Sequence, residues 1–308
     1  MHRLRQRNSF NIRFFIKQQK NPSFRYYFCM KSFFINEQNV AGYAGEIAAW
    51  IKGLVSQAHR QGVVLGMSGG LDCSVVARLC QLAGVDVQLV LMPYGDDMKN
   101  TNSSAHAMEL INKFNFPYHI FDIKPAVDAL TIPLESVNNP CRDVACYVST
   151  ALTNVSTASP QTNTGLRNAN TALSRSNIRP RVRMTYLYQL AQLSSRFVIG
   201  TGNLSERTVG YFTKWGDGVS DLNPLGMLTK QEVYTLARYL EVPDSIIDKK
   251  PSAGLWDGQT DEDELGMTYA QIDAYILNGT SGNAATDRKM EERITMSAHK
   301  HAAIPIFT

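Results

Sequence analysis

The sequence predicts a single α/β domain built on a doubly wound, mostly parallel sheet with helices on both faces. Short apolar runs of strand length alternate with longer stretches in which apolar residues recur at helical spacing. The first runs are largely apolar, which is typical of strands covered on both sides. Alternation of such strands with helices predicts this class of fold.

Each element follows from the same periodicity. A first helix is predicted over 40–61, where Ile47, Ile51 and Leu54 share one face, and a buried strand follows at 62–67. The pattern then predicts, in chain order, a helix at 73–82, a strand at 87–92, a helix at 103–114 capped by Ser103 or Ser104, a strand at 118–123, a helix at 180–193 and a strand at 197–200.

A polar stretch interrupts this pattern. More than half of the residues from Ser149 to Ser176 are Ser, Thr or Asn, and the only charged ones are Arg167 and Arg175. Such a composition buries little apolar surface, so a mobile loop is predicted at about 149–176. The helix after it would begin at Pro180 with three arginines in its first turns, an arrangement that opposes the helix dipole and suggests an anionic partner.

The first 35 residues differ from the rest in charge. Every charged residue of segment 1–35 is basic, whereas the remainder is net acidic although the whole chain carries +4. We therefore predict a disordered extension or a start assigned too early, with Met30 as the alternative start, and one domain over 36–308. A presequence for organelle import is the competing interpretation of segment 1–35.

Composition also restricts the partners and the compartment. The acidic body of the chain does not favour a nucleic-acid surface. No apolar run is long enough to span a membrane. The five cysteines show no metal-ligand spacing, which suits a reducing compartment, so a cytoplasmic location is expected.

The strongest chemical signal is the stretch Gly-Met-Ser-Gly-Gly-Leu-Asp-Cys-Ser at 66–74, between the first strand and the second helix. Gly69 and Gly70 would let a ligand approach the backbone, and the helix N-terminus that follows favours an anion. Asp72 would repel a phosphate unless Mg²⁺ is shared between them. The pattern therefore predicts a metal–nucleotide site. The alternative is a tight turn in which Asp72 only caps the helix.

This loop resembles the Ser-Gly-Gly-x-Asp-Ser loop of the ATP pyrophosphatase superfamily, which grips the pyrophosphate part of ATP. Downstream stretches resemble the ammonia-dependent NAD synthetase family in particular. They lie at 177–184, 200–206, 210–218, 221–225, 228–230, 251–256 and 299–300. The resemblance extends from about Val40 to the C-terminus and implies an adenine-nucleotide alpha-hydrolase-like fold.

The resemblance also implies a role for each matched position. The implied ATP-binding residues are Gly66, Met67, Ser68, Gly69, Gly70, Leu71, Asp72, Cys73, Thr201, Lys230 and Ser252. Asp72 and Glu206 would hold Mg²⁺, and Asp72 and Lys230 would be catalytic. The implied deamido-NAD-binding residues are Asn177, Arg181, Lys214, Asp217, Asp221, His299 and Lys300. Taken without the resemblance, Lys214, Lys230 and His299 would be ordinary surface side chains.

The reaction that the resemblance implies joins ammonia to deamido-NAD at the expense of ATP. An acyl adenylate would form first, and ammonia would then displace AMP to give NAD, with pyrophosphate released in the first step. A homodimer is also implied. The alternatives are another adenylating ligase of the superfamily or an ATP-binding sensor without turnover.

One departure from the family pattern lies in the loop itself. Cys73 stands where the family usually has Ser, and a thiol is a weaker donor than a hydroxyl. We expect Ser74 and the backbone to hold the phosphates instead. Because Cys73 would lie at a helix N-terminus, we also expect it to react readily with alkylating reagents when ATP is absent.

Overall fold

The fold was analysed in a computed structural model, which describes residues 34–95, 102–131, 162–252 and 260–307. Their helices and strands are α1 (Val40–Gln57), β1 (Val63–Gly66), α2 (Leu71–Leu82), β2 (Val87–Leu91), α3 (Asn102–Phe114), β3 (Tyr118–Ile120), α4 (Lys124–Leu130), α5 (Thr162–Leu193), β4 (Phe197–Val198), α6 (Leu204–Thr208), α7 (Lys230–Tyr239), α8 (Asp244–Ile247), α9 (Asp261–Leu265), α10 (Tyr269–Asn278) and α11 (Ala284–His301).

The described strands form one parallel sheet in the order β3-β2-β1-β4. Alternate residues of β1 point to opposite faces: Val63 and Leu65 pack with α1, α2 and α7, whereas Val64 packs with α4 and α5. The predicted parallel sheet with helices on both faces is therefore confirmed. Apart from the helix predicted at 180–193, the boundaries of the predicted helices and strands differ from the observed ones by a few residues.

A third apolar cluster lies apart from the sheet. Leu204 of α6, Leu265 of α9, Ile272 of α10 and Met290 of α11 belong to it, and all four are buried. The helices and strands predicted from periodicity end at residue 200 and do not include these helices. Their cluster supports the part of the chain that follows β4.

The predicted loop at 149–176 is wrong for its second half. Helix α5 begins at Thr162 and continues through Pro180 to Leu193, while 149–161 lies outside the described residues. Tertiary contacts explain why a polar sequence is helical here. Asn177 is buried and accepts a hydrogen bond from the Thr213 hydroxyl, and Ile178 packs against the core beneath the sheet. Packing of this kind overrides a weak local propensity.

The helix also tolerates the proline in its interior. Pro180 has no N–H, so one bond of the helical ladder is absent at that point. The ring packs against Gly216, where an added Cβ would lie 3.1 Å from the Cβ of Pro180. The close approach of these two residues docks the middle of α5 on the turn that contains Gly216.

No helix in the described ranges combines the length and the apolar character that crossing a bilayer requires.

Gly210 offers a test of how α11 is docked. Its φ is +67°, and a Cβ there would lie 2.1 Å from the Cβ of Ser297 on α11. We expect Gly210→Ala to lower the free energy of unfolding by about 3 kcal/mol, since left-handed strain and steric overlap both contribute. The matched control is Gly84→Ala, which has φ +64° and open space around the new methyl group. Equal losses in urea denaturation of the two variants would contradict the overlap.

Candidate functional site

The glycine-rich loop lies where the sequence placed it. Met67 continues β1 by donating its backbone N–H to Val90 O at 2.8 Å, and the chain then turns at Gly69, whose φ is +73°. Gly70 is the extended N-cap residue of α2, and no side chain caps that helix N-terminus within the described part of the chain. The start of α2 therefore keeps the properties of an anion site.

The structure contradicts the expectation for Ser74 in this loop and argues against the one for Cys73. Ser74 is fully buried, and its hydroxyl donates to Gly70 O at 2.7 Å, so it is not directed at a ligand. The Cys73 thiol is also buried and donates to the same carbonyl at 3.2 Å, which argues against ready alkylation. Ser68 is exposed and is the hydroxyl of the loop that a phosphate could reach.

Three charged side chains meet beside the loop. The Lys230 ammonium lies 2.6 Å from Asp72 Oδ2 and 3.3 Å from Glu206 Oε1. Lys230 is only 2% exposed, whereas the carboxylates keep part of their surface open to solvent. The two predicted metal ligands and the predicted catalytic lysine thus form one cluster.

Asn203 holds the two carboxylates in place. Its side-chain amide donates to Asp72 Oδ1 at 2.9 Å, and its side-chain oxygen accepts from Glu206 N at 3.0 Å. The backbone N–H of Asn203 in turn donates to Glu206 Oε2, completing a capping box at the start of α6. Asn203 is not among the site residues predicted from the sequence, although Asn three positions before Glu is a recognisable capping signal.

In this cluster, burial and the neighbouring charges of opposite sign shift the pKa values of Glu206 and Lys230 in opposite directions. Burial raises the pKa of Glu206 to about 7, although the charge of Lys230 opposes the rise. Burial lowers the pKa of Lys230, but the charges of Asp72 and Glu206 outweigh it and keep that pKa above its usual value. Lys230 therefore stays protonated and balances the charge of the carboxylates.

Two phenols and a further carboxylate lie behind Glu206. The Tyr269 hydroxyl is 2.9 Å from Asp261 Oδ2 and 3.3 Å from Glu206 Oε1, and the Tyr211 hydroxyl donates to Asp261 Oδ1 at 3.1 Å. Burial raises the pKa of Asp261. These residues come from α9, α10 and the segment after α6, and no local pattern in the sequence identified them.

A second group of predicted residues gathers around the segment 210–218. Asn177 accepts from Thr213, the Lys214 ammonium donates to His299 O at 2.7 Å, and the Lys300 ammonium donates to two backbone carbonyls of the segment. Arg181 Nε donates to Lys214 O, and Asp217 accepts from Thr213 N. Six of the seven predicted substrate-binding residues thus share one neighbourhood.

The remaining predicted residues lie elsewhere. Asp221 accepts from Val198 N at 2.7 Å and lies 3.5 Å from the Tyr188 hydroxyl, so it contacts β4 and α5. Thr201 is two residues before Asn203 on the chain that enters α6. Ser252 is exposed and directly precedes 253–259, which lie outside the described residues.

The prediction that three arginines lie at the N-terminus of a helix, where they would oppose its dipole, is wrong. Arg179, Arg181 and Arg183 lie far inside α5 and not in its first turn. The Arg179 guanidinium stacks over the Tyr94 ring at 3.9 Å, and Arg183 Nε donates to Met92 O at 3.1 Å. The helix dipole therefore gives no evidence for an anionic partner at these residues.

A phosphate-type loop at the carboxyl end of a parallel strand, with acidic and basic side chains converging beside it, defines an α/β enzyme of the adenine-nucleotide alpha-hydrolase-like class. The model of the family described as NAD synthase matches residues 43–146 and 147–304. The chain belongs to the NAD synthase family.

Individual relatives agree with this assignment. The NH(3)-dependent NAD(+) synthetase of Carboxydothermus hydrogenoformans is 36% identical over 83% of this chain and 92% of its own length. That of Syntrophomonas wolfei is 37% identical over 88% and 96%. Among solved structures, the NMN synthetase of Francisella tularensis has a TM-score of 0.71 and 33% identity, covering 89% of this chain and all of that one.

Removal of the central ammonium should destabilise the fold. We expect Lys230→Met to lower the free energy of unfolding by about 3 kcal/mol, because two partly buried carboxylates then face each other without a cation. The loss should be smaller in Lys230→Met combined with Asp72→Asn, which removes one of those charges. Urea denaturation without nucleotide measures both effects; wild-type stability of Lys230→Met would contradict them.

Proposed function

We propose that the protein is a carbon–nitrogen ligase that uses ATP to join ammonia to the nicotinate carboxylate of deamido-NAD, giving NAD, AMP and pyrophosphate. The family match and the names of the relatives support this reaction. The observation that carries it in this chain is the convergence of Asp72, Glu206 and Lys230 beside the phosphate-type loop.

The nucleotide would lie along the loop. The backbone of Gly69 and Gly70, the first turn of α2 and the Ser68 hydroxyl are suited to phosphate oxygens. Thr201 and Ser252 remain proposed contacts through the resemblance alone. The Lys230 ammonium contacts Asp72 of the loop and would stabilise charge that develops on the α-phosphate.

Asp72 and Glu206 fit a magnesium ion. Both carboxylates already approach one cation, the Lys230 ammonium, and carboxylate oxygens are ligands that Mg²⁺ prefers. Within the described residues no group of three His, Cys, Asp or Glu side chains could hold a metal, so phosphate oxygens and water would complete the coordination. A bound Mg²⁺ would neutralise charge on the phosphates.

The group around 210–218 would hold the second substrate. Its carboxylate and pyrophosphate are anionic, and Arg181, Lys214 and Lys300 supply cationic donors in one region. Asn177, Asp217 and His299 would line the same region, with Asp221 at its edge. An anion that bound there would compete with the backbone carbonyls that now accept from Lys214 and Lys300.

The chemistry proceeds in two displacements. An oxygen of the nicotinate carboxylate attacks the α-phosphorus, and the bond to the β-phosphate oxygen breaks, so pyrophosphate leaves with that electron pair. Ammonia then attacks the carbonyl carbon of the acyl adenylate, AMP leaves, and the surplus proton passes to solvent. The protein contributes position and charge stabilisation rather than a nucleophile.

A second candidate substrate is the mononucleotide. The likeness to NMN synthetase favours a test of nicotinate mononucleotide, which offers the same carboxylate without the adenylate half. The chemistry of adenylation and amidation would be unchanged. Deamido-NAD and nicotinate mononucleotide differ only in the adenylate group that deamido-NAD carries on the phosphate of the mononucleotide.

One assay separates these possibilities. The protein is incubated with Mg-ATP, ammonium and either deamido-NAD or nicotinate mononucleotide, and all products are quantified. We expect NAD, AMP and pyrophosphate in equal amounts from deamido-NAD. Faster turnover of the mononucleotide would reassign the substrate, ADP and phosphate would contradict adenylation, and nucleotide binding without products would favour a sensor.

Neutralising either predicted metal ligand should abolish this activity. We expect Asp72→Asn and Glu206→Gln to lower kcat/KM at saturating ammonium by at least about 100-fold, because charge stabilisation at the phosphates is lost. The matched control is Asp86→Asn, which makes the same charge change at the opposite end of the strands, where Asp86 pairs with Arg196. Activity that survives in both ligand variants would contradict the metal assignment.

The homodimer and the cytoplasmic location that the sequence suggested stay predictions. Light scattering coupled to size-exclusion chromatography would test the first, since one chain has a mass of 34.3 kDa.

A further inference from the structure

A buried carboxylate outside the cluster connects the two helices that carry Glu206 and Lys230. Asp273 lies on α10, is 6% exposed, and accepts a hydrogen bond from the Ser205 hydroxyl through Oδ1. Its other oxygen, Oδ2, accepts from the backbone N–H of Gln231 at 2.9 Å. Ser205 is fully buried and accepts from the backbone N–H of Lys230 at 2.9 Å.

We propose that Asp273 is a positioning residue for the proposed reaction: through Ser205 and Gln231 it sets where Glu206 lies relative to Lys230. Ser205 directly precedes Glu206 on α6, and Gln231 directly follows Lys230 on α7. The Asp273 carboxylate therefore binds the residue next to Glu206 and the residue next to Lys230. The proposal rests on the proposed function, in which Glu206 and Lys230 serve the same nucleotide.

The chemistry of the contacts requires a carboxylate. Both groups that meet Asp273 are donors in this arrangement, because Ser205 already uses its oxygen to accept from Lys230 N and must direct its proton elsewhere. A carboxylate accepts at both oxygens, whereas an amide would present N–H to one of the two donors. Asp273→Asn therefore breaks one of the two contacts while keeping the size of the side chain.

The start of α7 provides a matched comparison. Glu232 is fully buried and also caps this helix, accepting from Thr229 N at 2.8 Å and from Ile35 N at 2.9 Å. Glu232 contributes to the stability of the same helix N-terminus, and its hydrogen bonds to Thr229 and Ile35 join it to residues outside α6. Glu232→Gln should thus destabilise the protein without separating Glu206 from Lys230.

The experiment compares Asp273→Asn, Ser205→Ala, their double variant and Glu232→Gln in the full chain. Thermal unfolding, the calorimetric Kd for Mg-ATP, and kcat and KM for deamido-NAD are measured for each. For Asp273→Asn and Ser205→Ala we expect Mg-ATP binding weaker by about tenfold and kcat lower by about 10- to 100-fold, because small misplacements of charged groups are costly. The KM for deamido-NAD should stay within about twofold, since its proposed residues lie around 210–218. Glu232→Gln should lower Tm without changing the Kd for Mg-ATP.

The double variant distinguishes positioning from general destabilisation. If Asp273 acts partly through Ser205, the loss of Mg-ATP binding in the double variant should be smaller than the sum of the two single losses, whereas independent effects would add. Additive losses, or unchanged Mg-ATP affinity in both single variants, would overturn the proposal. If Asp273→Asn does not fold, Ser205→Ala alone must still show the loss. Wild-type protein that binds Mg-ATP but makes no NAD would refute the proposed function, and the binding measurements would still decide the role of Asp273.

Discussion

The Lys230 ammonium, held out of solvent between Asp72 and Glu206, is the interaction on which the arrangement of the site depends. Removing a charge from water is costly unless opposite charges and hydrogen bonds replace the lost hydration. Here the replacements come from two distant parts of the chain, the start of α2 and the start of α6. The fold must bring three helix starts together before the lysine can be buried.

Asp72 and Lys230 both lie at the start of a helix, but the helix dipole favours only the negative charge. Asp72 lies in the first turn of α2, where a negative charge is favourable, whereas Lys230 is the first residue of α7, where a positive charge is not. The two carboxylates therefore compensate Lys230 both for its burial and for its place on the helix.

Local sequence patterns predict some features of this structure and miss others. Periodicity identified β1, β2 and the helix α2 between them, because each is a local pattern of buried positions. It failed at 162–176, since this polar segment is helical in a helix that contacts Thr213 and the core through Asn177 and Ile178. The expectation drawn from the loop motif, that Ser74 would hold a phosphate, also failed, because the Ser74 hydroxyl donates to Gly70 O. Thr213, the partner in the first case, lies outside the local pattern. Gly70 lies within the same loop, but the sequence does not show that the Ser74 hydroxyl donates to it.

The sequence by itself determined the parallel α/β class and the glycine-rich loop at 66–74, and through the resemblance it predicted Asp72, Glu206 and Lys230 as functional residues. Only the tertiary structure decided that these three share one buried cluster, that Asn203 aligns both carboxylates, and that Asp273 connects α6 to α7. The physical reason is the distance along the chain between the groups that interact. Strand and helix patterns and loop glycines act between near neighbours, whereas the burial of a charge depends on groups that the chain brings together from far apart.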